Sequence, residues 1–330
     1  MGKSVNATKK LLVLTSGGDA PGMNAAIRAV VRSALHYEME VFGAQMGFIG
    51  LVKQQVVSLN SRSVANCIQR GGTILRTGRF KDFHSENIRN KAHECLKKLK
   101  IDAMVILGGN GSFAGILKLY REGGPKMIGI PCTIDNDIQG TDYCVGFDTA
   151  CNTALKAIDK IRDTAFSLER NFLIEVMGRS SGFIAVSVGI TGGAEIIAIP
   201  EFPIDIDTLT QKIKKQQRKK SASIIVVAEA DAPGHSFKLA EQIKEKTNID
   251  YRVCILGHTQ RGGTPTVKDR LIASLMGAKA VEALRKGLTK KMVAYKYDQV
   301  VLVPLPHPES GTRYFTDKAL LGVNDMICAV

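Results

Sequence analysis

Tryptophan is absent, aromatic residues make up only 6% of the chain, and no apolar run approaches the ~20 residues that a membrane-spanning helix needs. The longest such stretches, Phe183 to Ile190 and Ile196 to Ile199, fall far short. The N-terminus lacks a hydrophobic signal segment, so no membrane partner is expected and the cytoplasm is the expected location. Seven cysteines, at 67, 95, 132, 144, 151, 254 and 328, are odd in number and show no CxxC spacing. Neither a disulfide framework nor a zinc site is therefore expected, and the thiols should be reduced and mostly buried. No Walker GxxxxGK(S/T) sequence occurs, and no protein-kinase HRD or DFG set.

What is present starts with charge. Lysine and arginine, 45, exceed aspartate and glutamate, 31, by 14. That excess suits an anionic partner, phosphorylated substrates or a solvated basic surface. The densest basic run, Lys212 to Lys220, has no interleaved aromatic on which bases could stack, which argues against nucleic acid. At 330 residues and 45% hydrophobic content, the chain exceeds what one core usually supports, so two domains are expected.

Short β-rich runs alternate with longer helical patterns. Leu11 to Thr15 precedes Ala25 to His36, Ala103 to Leu107 precedes Phe113 to Tyr120, and Met127 to Ile130 precedes Thr149 to Ile161. The rhythm continues with Phe172 to Val176 before Ser181 to Val188, Ser223 to Ala228 before Lys238 to Thr247, and Val253 to Leu256 before Asp269 to Leu284. This predicts an α/β protein with two doubly wound parallel-sheet domains, the ligand site lying in the cleft between them at the strand ends.

Ser16-Gly17-Gly18-Asp19-Ala20-Pro21-Gly22 follows the first strand and opens the first helix. Glycines there allow close backbone approach, and a helix N-terminus favours an anion. Alone, the pattern leaves a ligand-free tight turn equally open. A second glycine loop, Gly108 to Ser112, repeats the arrangement after another strand and adds a hydroxyl. Some twenty residues on, Thr133, Asp135 and Asp137 follow an apolar strand. Asp135 suits a general base for a substrate hydroxyl, and Asp137 a second carboxylate that raises the base's proton affinity or holds metal waters. Aspartates capping a turn are the structural alternative. Arginines complete a phosphoryl-transfer set: Arg79 after a glycine-rich stretch, Arg179 at a strand end, and Arg252 and Arg261 near His258.

Four segments together, LTSGGDAPGMNAAIR (Leu14 to Arg28), PCTIDNDIQGTDYCVGFDTA (Pro131 to Ala150), EVMGR (Glu175 to Arg179) and LGHTQRGG (Leu256 to Gly263), make the chain resemble the bacterial ATP-dependent 6-phosphofructokinases over about residues 9 to 290. The resemblance implies transfer of the ATP γ-phosphoryl group to the 1-hydroxyl of fructose 6-phosphate with Mg2+, as the committed step of glycolysis. It implies an ATP-binding domain of residues 1–145 plus roughly 260–310, and a fructose 6-phosphate domain of roughly 146–259 plus the C-terminal tail. Gly18, Arg79, Phe80, Gly109, Asn110, Gly111 and Ser112 would hold ATP, and Asp135 would accept the proton. Thr133, Asp137, Met177, Gly178, Arg179, Glu229 and His258 would surround the sugar phosphate and reacting centre, with Arg179 stabilising the transferring charge. Arg170 and Arg252 match arginines that reach a neighbouring subunit's site, and Arg261 one serving its own, which implies a homotetramer. Arg28, Arg32, Arg162, Gly193, Glu195, Arg218 and Lys220 match an effector site for ADP or phosphoenolpyruvate.

The chain departs from the pattern at four places, Asn110, Gln55, Ser221 and Cys132. Asn110 stands where the family has a metal-assisting aspartate, which implies lower activity or weaker magnesium binding. Gln55 and Ser221 replace basic residues of the effector site. Cys132 stands where ATP users have glycine and pyrophosphate users lysine, and is expected to narrow the donor space. Gly111, where pyrophosphate users carry aspartate, leaves room for the α-phosphate and favours ATP. A pyrophosphate-dependent enzyme and a catalytically weak regulatory subunit, motivated by Asn110, are the alternatives.

Overall fold

The computed structural model describes residues 8–217, 222–230, 233–306 and 316–328. The expected effector residues Arg218 and Lys220, and the departure at Ser221, lie outside the described residues. Two compact units divide the chain: Met1–Thr133, Ile138–Asp148 and Arg261–Arg313 form one, and Ile134–Asp137, Thr149–Gln260 and Tyr314–Val330 the other.

In chain order the first part runs β1 (Lys10–Thr15), α1 (Met23–His36), β2 (Glu40–Ala44), α2 (Phe48–Val52), β3 (Val56–Leu59), α3 (Glu86–Leu99), β4 (Ala103–Gly108), α4 (Asn110–Arg121) and β5 (Lys126–Pro131). The middle runs α5 (Phe147–Ser167), β6 (Asn171–Val176), α6 (Phe183–Thr191), β7 (Ile196–Ala198), α7 (Ile206–Gln217), β8 (Ile224–Ala228), α8 (His235–Thr247) and β9 (Tyr251–Ile255). The chain closes with α9 (Val267–Arg285), β10 (Lys291–Lys296), β11 (Gln299–Pro304) and α10 (Lys318–Cys328).

The first unit holds a seven-stranded sheet in the order β11-β10-β5-β4-β1-β2-β3. Its central strands β1, β4 and β5 are apolar apart from Lys10, Thr15 and Lys126 at their ends, because helices cover both faces, and each fully buried leucine or isoleucine contributes about 1.5–3 kcal/mol. The interior pairs are parallel, whereas both edges are antiparallel: β3 against β2 and β11 against β10. The β10–β11 connection is a two-residue turn at Tyr297 and Asp298, both with positive φ. Such a turn usually announces itself by Asn-Gly or Asp-Gly, so this hairpin leaves no such mark in the sequence.

The second unit is a four-stranded, wholly parallel sheet in the order β7-β8-β6-β9. Leu173, Ile225 and Val227 from the sheet pack with Leu209 and Ile213 of α7, Ile243 of α8 and Tyr251. Among the described residues no helix is long and apolar enough to cross a membrane. Four of the seven cysteines are buried and three half-buried, all without disulfides.

Candidate active site

In the first unit, parallel register places Thr15 beside Leu107 and Gly108 beside Pro131, so the loops leaving β1, β4 and β5 emerge at one sheet edge. Ser16 N donates to Leu107 O at 2.9 Å, and Ser112 Oγ donates to Ser16 O at 3.0 Å, tying the two glycine loops together. Thr77 Oγ1 donates to Gly17 O at 3.0 Å and Gly17 N to Gly78 O at 3.3 Å, which brings the segment carrying Arg79 and Phe80 to the first loop. Asn110 and Gly111 are exposed at the head of α4, a twelve-residue helix with no acidic side chain in its first turn. Helix N-termini without acidic neighbours favour anions.

A side-chain carbon at Gly111 would meet no atom within 4 Å, so the space beside it is open. Cys132 does not narrow that space, contrary to expectation. Its residue is only 1% exposed and its amide donates to Gly108 O at 3.0 Å, so the thiol points into the interior. Burial, and secondarily the charge of Asp269, pushes the thiol's pKa far up and keeps it protonated. Arg261 belongs to this unit, where its guanidinium rests on Gly18 and donates to Asp19 O at 3.1 Å.

In the second unit, β6, β8 and β9 end together and deliver Met177-Gly178-Arg179, Glu229 and His258. Arg179 N donates to Glu229 Oε1 at 3.1 Å, and Ser181 Oγ, in the turn after Arg179, donates to Asp135 O at 2.8 Å. Asp135 is 7% exposed, Asp137 half-buried and Arg179 exposed. Arg179 and Asn136 both sit in the left-handed region, at φ of 53° and 52°. Non-glycine residues held there cost energy and concentrate at functional sites.

Arg170 and Arg252 are not part of that cluster, although proximity in sequence grouped Arg252 with His258 and Arg261. Arg170 immediately precedes β6 and Arg252 pairs with Phe172 near the start of β9. With a rise of about 3.3 Å per residue, the strands carry these arginines to the opposite sheet end from Arg179 and His258. There they line a groove of about 350 Å³ with Glu169, Asn171, Asn248 and Asp250.

The residues expected to bind an effector divide likewise. Arg28 and Arg32 lie on α1, while in the second unit Arg162 donates to Gly192 O at 2.7 Å and Gly193 O at 2.6 Å and stands 3.8 Å from Glu195. Gln55 is exposed just after α2.

Two carboxylates that sequence reading gave no role hold the second-unit loops. Glu175, 1% exposed, accepts from Gly234 N at 2.8 Å and from both the amide and hydroxyl of Ser236. It thereby fastens the N-terminus of α8 to the strand that delivers Met177. Glu201 Oε1 accepts from Gly182 N at 2.7 Å, at the start of α6. The available signal was a charged residue inside an otherwise apolar strand, as in Phe172-Leu173-Ile174-Glu175-Val176.

A family model described as phosphofructokinase matches residues 10–284. The ATP-dependent 6-phosphofructokinase of Coxiella burnetii is 77% identical over 322 residues, 98% of this chain and 99% of that protein. ATP-dependent 6-phosphofructokinase 1 of Thermus thermophilus is 53% identical over 320 residues, 97% of this chain and 99% of its own. Among solved structures, Pichia pastoris phosphofructokinase in the T-state superposes with a TM-score of 0.85 at 30% identity, covering 100% of this chain and 37% of that one.

Proposed function

The chain belongs to the phosphofructokinase family, and we infer that it transfers the γ-phosphoryl group of ATP to the 1-hydroxyl of fructose 6-phosphate, giving fructose 1,6-bisphosphate and ADP. It is an ATP-dependent kinase of glycolysis. One observation carries the assignment of roles: the second unit places Asp135 and Arg179 on a single hydrogen-bonded frame through Ser181, with Glu229 bracing the Arg179 amide.

Asp135 takes the proton of the 1-hydroxyl as the oxygen attacks, a contribution of about 10²–10⁴-fold. Arg179 meets the negative charge spread over the transferring group. Thr133, Asp137, Met177, Gly178, Glu229 and His258 orient the sugar. On the donor side, Gly18, Arg79, Phe80 and the Gly109–Ser112 turn hold ATP, its phosphates lying on the N-terminus of α4. Arg261 serves the 6-phosphate of its own chain. Arg170 and Arg252, at the far end of their sheet, serve that of a neighbouring subunit in a homotetramer. Arg28, Arg32, Arg162, Gly193 and Glu195 take an effector such as ADP or phosphoenolpyruvate, and the enzyme works in the cytoplasm.

The residues suit a magnesium ion that arrives with the nucleotide. Magnesium keeps most of its waters and takes further oxygens from phosphates, and among the described residues no three His, Cys, Asp or Glu side chains gather into a metal cage. Asn110 would hold it through a metal-bound water. When bound, the ion neutralises charge on the phosphates.

A coupled assay of fructose 1,6-bisphosphate formation, run with magnesium and either ATP or pyrophosphate, tests the reading. Turnover is expected with ATP alone. Turnover only with pyrophosphate would transfer the donor assignment, and none with either would make this chain a weak regulatory subunit. In the same assay, Asn110→Asp is expected to reach half-maximal rate at roughly threefold or more lower magnesium, because the carboxylate restores a Coulomb attraction. An unchanged magnesium titration would remove Asn110 from the ion's surroundings.

A further inference from the structure

Asp269, in the first turn of α9, is completely buried and belongs to none of the roles above. Its Oδ1 accepts two hydrogen bonds, from the Tyr143 hydroxyl at 2.8 Å and from Gly146 N at 2.7 Å. The Tyr143 oxygen in turn accepts from Asp148 N at 3.2 Å. Thr266 Oγ1 accepts from Asp269 N at 3.3 Å, so the helix start that carries the carboxylate is itself capped. Burying a carboxylate is costly, and satisfying it by two strong donors gives it one geometry.

The segment Tyr143–Gly146 that Asp269 holds touches two parts of the donor side. Val145 N donates to Pro131 O at 2.9 Å and Val145 bridges Cys132, whose own amide reaches Gly108 O. The stretch Pro131–Thr133 is thereby seated between this segment and the second glycine loop. Facing the first glycine loop, Gly146 has φ of 104°, and a side-chain carbon there would come within 2.6 Å of Ala20 Cβ. Gly22, at φ of 103°, is equally confined, 2.7 Å from Val145 Cγ1 and 3.4 Å from Asp269 Cβ by the same measure. At both glycines a side chain would be strained and would press on these neighbours, so the first glycine loop, Val145 and Asp269 are in close contact.

We propose that Asp269 is a positioning residue for phosphoryl transfer: through Tyr143 and Gly146 its carboxylate sets where Thr133 and the first glycine loop stand relative to one another. Burial, reinforced by the Asp269 charge, pushes the Tyr143 hydroxyl pKa up, so the phenol remains a donor throughout the working pH range. Transfer between two bound substrates depends on alignment, and a displacement of about 1 Å costs on the order of 10²-fold. The inference rests on the phosphofructokinase reading of the site.

Tyr143→Phe, Asp269→Asn and Asp269→Ala, compared with wild type, test it. Tyr143→Phe is expected to fold, keep KM for ATP and fructose 6-phosphate within about threefold, and lose about tenfold in kcat. Asp269→Ala is expected to lose on the order of 10²-fold in kcat, and Asp269→Asn, whose amide oxygen can accept the same two bonds, to recover most of it. A merely structural staple would lower the unfolding midpoint and leave kcat per folded enzyme unchanged. A folded Tyr143→Phe with wild-type kcat overturns the proposal, even if Asp269→Ala does not fold. Equal kcat losses in folded Asp269→Asn and Asp269→Ala also overturn it. Lack of turnover in wild type would instead refute the catalytic reading of the site, and this inference would fall with it.

Discussion

Asp135→Ser is expected to lower kcat by about 10²–10⁴-fold, equivalent to roughly 3–5 kcal/mol of transition-state stabilisation. The serine hydroxyl is too weak a base to take a proton from the attacking sugar hydroxyl, and its shorter side chain withdraws the acceptor from the place the carboxylate occupied. The backbone need not follow. Ser181 holds the Asp135 carbonyl, not its side chain, and Asn136 keeps its left-handed turn whatever the neighbouring side chain is. The unfolding midpoint should therefore move by no more than about 4 °C, the shift that ~1 kcal/mol produces in a domain of this size. KM for fructose 6-phosphate should change much less than kcat, because the proton is shared with the base most strongly at the transition state. Stopped-flow or coupled kinetics beside a thermal melt separates the two effects. A kcat within about fivefold of wild type would assign the base elsewhere.

Arg179→Ala is expected to cost about 10²–10³-fold in kcat, the range for removing one preorganised charge stabiliser. Its backbone sits at φ of 53°, so alanine and lysine inherit the same left-handed conformation and its cost. Comparing Arg179→Ala with Arg179→Lys therefore isolates the side chain from the strain. Lysine retains the charge but not the planar two-pronged donor, and is expected to restore only part of the loss. Equal rates for the two substitutions would show that charge at this position does not act on the reaction. The Glu229 contact should survive both, since it is made by the Arg179 amide.

Much of the architecture was legible. The mostly apolar strands β1, β4, β5, β6 and β8 were placed to within about two residues, because burial on both faces demands a largely apolar composition. The outer pairs β2–β3 and β10–β11 were not, since the edge strands β3 and β11 are largely exposed or half-buried and the short runs of β2 and β10 carry no clear pattern. The β10–β11 turn uses Tyr297 and Asp298 where glycine would have announced it. The long helix after Asp137 was read from Thr149, and it starts earlier, at Phe147.

By itself, the order of residues determined the chemistry: two glycine loops after buried strands, the Asp135-Asn136-Asp137 segment, and arginines beside glycines are local signatures whose spacing survives in one dimension. It also determined the α/β class, because periodicity reports burial. Only the tertiary structure decided which of these residues act together. It separated Arg252 from His258 by the length of β9, sent Arg261 to the first unit against Gly18, and turned Cys132 inward, away from the open space beside Gly111. It also brought Asp269 to Tyr143, 126 positions away in the chain. Contacts of that range depend on how sheets and helices stack, and a buried carboxylate reads in sequence like any solvated one until its donors are seen.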